Sequence, residues 1–242
     1  MDVRVTGGEL EARLQEIAAA EGRLRAAVES FDDSDLRLPS LCAGWTRGHV
    51  VAHVPLNAHS LVNLMEWART GIETPQYLGW AERDADIQRF SRRTPAEHAA
   101  ALDDAGAAFQ AAARALPPDR WDFEVRGIGD ETRPVVRFLF GRLREVEIHH
   151  VDLAAGYTSA DWEDGFVRRV LDEVPARLGP RVDAPFTVEA ADLGMHLTVG
   201  EGDPVGHVVG PGHALLAWLL GRSRGAEVHG RGSVLPRVPP WG

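Results

Sequence analysis

The chain has 242 residues, with 36 acidic against 26 basic side chains and a formal charge of −10 at pH 7. That balance argues against binding to duplex DNA or to an anionic membrane, because affinity for polyanions comes from clustered cations. No run of about 18 apolar residues predicts a membrane span, and no charged-then-apolar leader follows Met1, so a cytoplasmic protein is expected. Cys42 is the sole cysteine, which excludes an internal disulfide and a Cys-rich metal site. Every basic residue is Arg, which excludes Schiff-base and P-loop lysine chemistry.

Read in chain order, the first two-thirds predicts helices. Leu10, Leu14, Ile17, Leu24, Val28 and Phe31 form one apolar stripe over residues 8–31. Thr46 is an N-cap candidate for a second helix, Arg47 to Thr70, stopped by Gly71 and carrying Pro55, where a kink or widened turn is expected. Thr94-Pro95-Ala96-Glu97 reads as a capping box for a third helix to Ala115, closed by Pro117-Pro118. A fourth helix is expected over residues 134–155, ended by Gly156. Four such helices predict a bundle.

The pattern changes after Gly156. Residues 161–178 predict a fifth helix, and 185–190, 195–199 and 205–209 predict short strands. Residues 212–221 predict a helix, 227–229 a last short strand and 236–240 an extended tail. The expected class is therefore α+β, with a helical bundle at residues 1–156 and a small α/β domain at 157–242.

The sharpest chemical pattern is histidine with carboxylate on two of the helices. Glu145 and His149, four residues apart, share a helix face, while the second helix offers His49, His53 and Asn57 at successive turns. Two ligands from one helix and one from a facing helix, with a position left open, is the pattern of a catalytic zinc. Spacing alone leaves His49 competing with His53, and Glu147 with His150 as an alternative pair nearer the flank of the stripe. Asp152 is a candidate partner for an imidazole N–H. Trp45, Trp67 and Trp80 are expected to pack in the bundle, and Cys42 reads as a packing residue apart from the helix-borne histidines. Gly210-Pro211-Gly212 reads as a turn rather than an anion cradle. Arg222 and Arg224 follow a helix end, where cations cap carbonyls or hold a carboxylate.

These residues carry a resemblance. Gly44-Trp45-Thr46-Arg47-Gly48-His49-Val50-Val51-Ala52-His53, with Asn63 to Gly71 and Glu73-Thr74-Pro75, resembles the second-helix motif of the mycothiol-dependent maleylpyruvate isomerases. Arg144-Glu145-Val146, Ile148-His149 and Val151-Asp152-Leu153 resemble that family's fourth-helix motif, and Gly221-Arg222 fits its second domain. The likeness covers nearly the whole chain and is strongest in the bundle; Pro55 departs from the family pattern. It implies a DinB-like four-helix bundle with a smaller C-terminal α/β domain. It also implies Zn2+, or another divalent metal, bound by His53, Glu145 and His149, which selects one frame among the alternatives. Arg222 is implied as an arginine needed for activity, and Arg83, in the loop after the second helix, as an anion contact.

The implied reaction is cis–trans isomerisation of maleylpyruvate to fumarylpyruvate in the gentisate route of aromatic degradation. Mycothiol would add to the double bond, allow rotation and be eliminated, with Arg222 holding substrate carboxylate or enolate charge. A protein with one cysteine borrows its thiol. The expected partners are small molecules met by a monomer. A mycothiol S-transferase and a non-catalytic zinc-binding regulator are the alternatives.

Overall fold

In the computed structural model, which describes residues 5–230 and 235–241, Thr6 and Glu9 close a capping box ahead of α1 (Gly7–Glu29). Residues 1–4, on which the expectation about a leader falls, lie outside the described residues. Leu14, Ile17, Leu24 and Val28 of the predicted stripe are buried along α1. A five-residue helix, α2 (Asp33–Arg37), follows behind its cap Asp32. Next comes α3 (Arg47–Thr70), with Thr46 at its start and Gly71 at its end. Gly71 has φ 75°, the left-handed conformation that ends a helix and suits glycine. The helix continues through Pro55.

Residues 80–90 form α4 (Trp80–Phe90), and the Thr94–Glu97 capping box opens α5 (Pro95–Ala115) as expected. Before the last bundle helix, β1 (Glu124–Arg126) and β2 (Thr132–Pro134) pair antiparallel, so α6 (Arg137–Asp152) begins three residues later than its apolar pattern suggests. Four helices make the bundle: α3 packs on α5 and α6, and α1 packs on the same two. Their buried aliphatic side chains close the core, and burying apolar surface is the main term that holds it together.

Residues 156–242 form a second compact unit, distinct from residues 1–155. Its elements are α7 (Asp164–Leu178), β3 (Phe186–Ala190), β4 (Met195–Val199), β5 (Gly206–Val209), α8 (Gly212–Leu219) and β6 (His229–Gly230). The strand order is β4-β3-β5-β6, with β3 and β5 parallel and the other pairs antiparallel. Phe186, Val188 and Ala190 alternate inward along β3, and α8 packs on that strand. The α7 stripe of Phe166, Val170, Leu171 and Val174 packs against α8 and β4. The architecture is α+β, as the sequence suggests. No helix among the described residues is long and apolar enough to cross a membrane.

Candidate metal centre

Facing turns of α3 and α6 bring three donors together. His53 Nε2 lies 2.9 Å from Glu145 Oε2, and His149 Nε2 lies 3.6 Å from the same oxygen. The four-residue spacing stacks Glu145 and His149 on one face of α6, and α3 presents His53 to that face. One ligand atom from each residue falls within 4.8 Å of the others. The His53 side chain is buried, whereas that of Glu145 is 30% exposed. The cluster is thus closed at α3 and accessible at the carboxylate. Two imidazoles and one carboxylate form a donor set suited to a divalent ion such as zinc.

The three groups are tuned in different directions. Burial pushes His53 down to about 4, against the hydrogen bond with Glu145 that favours its charged form. Burial alone would raise the Glu145 carboxyl, but hydrogen bonds with His149 and His53 outweigh it and hold it well below the usual carboxylate range. For His149, burial would lower the value, but Asp152, Cys42 and Glu145 together raise it well above the ordinary imidazole range. Asp152 is fully buried and accepts the His149 Nδ1–H at 2.8 Å, which leaves Nε2 turned towards Glu145.

Cys42 is a correction to the sequence reading. Its thiol donates to Asp152 Oδ2 at 3.1 Å and its sulfur lies 4.0 Å from His149 Nδ1. The segment before α3 is tied to the end of α6, which is why the two meet. The Leu41 N–H donates to the Asp152 carbonyl at 2.9 Å. Arg47 donates to the carbonyls of Leu153 and Ala154 at 2.6 and 2.8 Å.

Arg83 is a second correction, since it stands on α4 and not in a loop. Its Nη2 lies 3.4 Å from His53 Nδ1, and its guanidinium sits 5.7–5.9 Å from the ring centres of Trp45, Tyr77 and Trp80. Trp80, expected to pack in the bundle, is 56% exposed beside it. Burial pushes the Tyr77 phenol up, against hydrogen bonding with Ser60 and the Arg83 charge.

The competing frame has other partners. His49 Nδ1 meets the Thr46 backbone N–H at 3.3 Å and its hydroxyl at 2.8 Å, a helix-capping arrangement. Glu147 pairs with Arg23 at 2.6 Å, and both Glu147 and His150 are buried rather than on the flank. In the second unit, the Arg222 backbone N–H and guanidinium bond the carbonyls of Ala217 and Leu220 at the end of α8. The amide of Gly212, in the Gly-Pro-Gly turn, is taken by the Asp192 carboxylate.

Comparisons with known proteins follow this geometry. The family model described as the mycothiol maleylpyruvate isomerase N-terminal domain matches residues 17–154. The crystal structure of the mycothiol-dependent maleylpyruvate isomerase superposes with TM-score 0.89 at 28% identity, covering 96% of this chain and 97% of that one. A histidine-to-alanine mutant of that enzyme superposes with TM-score 0.88 over the same shares at the same identity. YfiT from Bacillus subtilis, which has an unusual four-helix bundle topology, superposes with TM-score 0.54 at 19% identity over 70% of this chain and 92% of its own, a likeness of fold alone. No curated protein matches the chain by sequence. With more than half of its length matched by that family model and its fold shared over nearly its whole length, the chain belongs to the mycothiol maleylpyruvate isomerase family.

Proposed function

We propose that the chain catalyses the cis–trans isomerisation of maleylpyruvate to fumarylpyruvate, with mycothiol as its thiol cofactor and zinc held by His53, Glu145 and His149. The observation that carries this reading is the convergence of those three donors from α3 and α6. It is supported by the match over 96% of the chain to an isomerase of that description. When bound there, zinc supplies a Lewis acid that keeps a thiol ionised at neutral pH.

The chain's own residues prepare that chemistry. His53 is kept neutral by burial with its Nε2 facing Glu145, and Asp152 accepts the His149 Nδ1–H, so Nε2 of each ring is the atom that would meet a metal once the His53 Nε2 proton is released. Glu145 remains ionised and supplies the one negative charge among the three donors. Arg83, next to His53 and between aromatic rings, is placed for an anionic group of the substrate. Arg222 is assigned to a substrate carboxylate, or to the negative charge that develops on the substrate. The thiol of Cys42 is engaged with Asp152, so the reacting thiol is mycothiol's. The reaction is redox-neutral and returns the thiol. The proposal includes a cytoplasmic monomer acting in the gentisate route.

A turnover assay on metal-quantified protein, with and without mycothiol and following both product and free thiol, tests the reading. Fumarylpyruvate formed only with mycothiol, with free thiol conserved, is expected. Thiol consumed into a conjugate would make the chain an S-transferase instead. A chain without bound metal overturns both.

A further inference from the structure

One helical turn from the three donors, the bundle buries an ion pair that the proposed reaction does not use. Arg142 precedes Glu145 by three residues on α6 and is 0% exposed. Its Nε donates to Glu21 Oε1 of α1 at 2.9 Å. Its Nη1 donates to the Val54 carbonyl of α3 at 2.7 Å and to Asn57 Oδ1 at 3.2 Å. The fourth bundle helix gives it room: a Cβ on Gly106 of α5 would lie 2.7 Å from Glu21 Oε2, so glycine there admits the carboxylate. Three helices of the bundle meet at this guanidinium, and the fourth lines the carboxylate that pairs with it.

Its contacts on α3 lie just beyond one ligand, His53. Val54 follows His53 in sequence, and Asn57 lies one turn further along the same face. Pro55 stands between them, and a proline inside a helix removes one backbone hydrogen bond. The turn carrying His53 is therefore weakened from within and held from outside by a side chain of α6. Desolvation makes a buried ion pair a poor source of net stability, whereas its fixed hydrogen bonds are well suited to setting register.

We propose that Arg142, seated by Glu21, is a positioning residue for the metal centre, locking the His53 turn of α3 against the Glu145 turn of α6. This rests on reading His53, Glu145 and His149 as metal ligands. The test compares the full-length protein with Arg142→Met, Arg142→Lys and Asn57→Ala. Zinc affinity is read by competition with a chromophoric chelator, ligand geometry by visible absorption of the cobalt-loaded protein, and folding by thermal melting.

In folded Arg142→Met, zinc affinity falls about tenfold or more with a shifted cobalt spectrum, the size of effect that outer partners of metal ligands exert. Arg142→Lys recovers part of both. A folded Arg142→Met with wild-type affinity and spectrum overturns the proposal. If Arg142→Met does not fold, Asn57→Ala decides: weaker zinc binding at an unchanged melting temperature supports it, and unchanged affinity overturns it. Wild-type protein that binds no zinc overturns the metal reading itself, a result distinct from equal binding by wild type and variants.

Discussion

Two polar clusters sit one turn apart on the same pair of helices, and they are built to opposite plans. Around Arg142, the cation is part of the chain: Glu21, the Val54 carbonyl and Asn57 all accept from one guanidinium. Around Glu145, two imidazole nitrogens approach one carboxylate oxygen, and the Arg83 guanidinium meets the cluster at the outer nitrogen of His53. The first cluster is buried, whereas the second is buried at His53 and reaches solvent through Glu145. Buried polar groups must find partners. The first cluster supplies its own cation, the arrangement of the proposed brace, whereas the donors of the second converge on a shared point, the arrangement of the proposed receptor for a cation from outside.

The brace offers the largest effect. Arg142→Met alone, or Glu21→Leu alone, leaves a charged partner stranded in the core and costs about 3–5 kcal/mol of folding stability. The two together remove both charges, so the double variant is expected to be far closer to wild type than either single one. Chemical denaturation of the four proteins gives the coupling energy. Losses that simply add would show that the two side chains do not act as a unit, and the contrast between the clusters would lose its first half.

His98, on α5, is a third way to bury a polar group and sharpens the contrast through pH. It is 0% exposed, and neither ring nitrogen has a hydrogen-bond partner among the described residues. Burial, reinforced by the Arg93 charge, pushes it down to about 4. An unfolded imidazole titrates near 6.5, so between those values the unfolded chain binds more protons than the folded one. Stability therefore falls as pH drops from 6.5 to about 4, by about 3 kcal/mol from this group when its shift is fully expressed. His98→Leu removes that part of the acid slope, measured by denaturation at pH 7 and pH 4.5. An unchanged slope would assign the acid sensitivity to other groups.

How much of this was legible in the sequence depends on how local the signal was. The ends of α3 were readable because Thr46 and Gly71 act within a turn of themselves. The pairing of Glu145 with His149 was readable from helical spacing, but spacing left His49 and Glu147 in contention. In the fold, His49 meets Thr46 and Glu147 meets Arg23. The change from helical to strand pattern after Gly156 conveyed the α+β class. The α4 helix was not legible, because Ile87 is its one buried residue and a polar segment shows no stripe. That omission put Arg83 in a loop and left Trp80 expected to pack in the bundle. Cys42 was misread because its partner Asp152 lies 110 residues further along, beyond any spacing argument. The Arg142 cluster was not legible either, because its partners come from two other helices.

The smallest effect tests the receptor cluster from behind. Asp152→Asn preserves the shape of a fully buried side chain and keeps an oxygen that can accept from His149 Nδ1, but removes the negative charge. Its loss weakens the hold on the Nδ1 proton and lowers the basicity of Nε2, the atom assigned to the metal. Zinc affinity should fall about 10- to 100-fold, as it does when outer partners of ligating histidines are altered. His149 can give up its proton when that charge is lost, which Arg142 cannot, so the folding penalty should be smaller than that of either brace variant. Chelator competition and denaturation on the same sample separate the two effects. If zinc affinity is unchanged, packing alone orients His149, and the receptor cluster is then held by the helices and not by a chain of hydrogen bonds behind it.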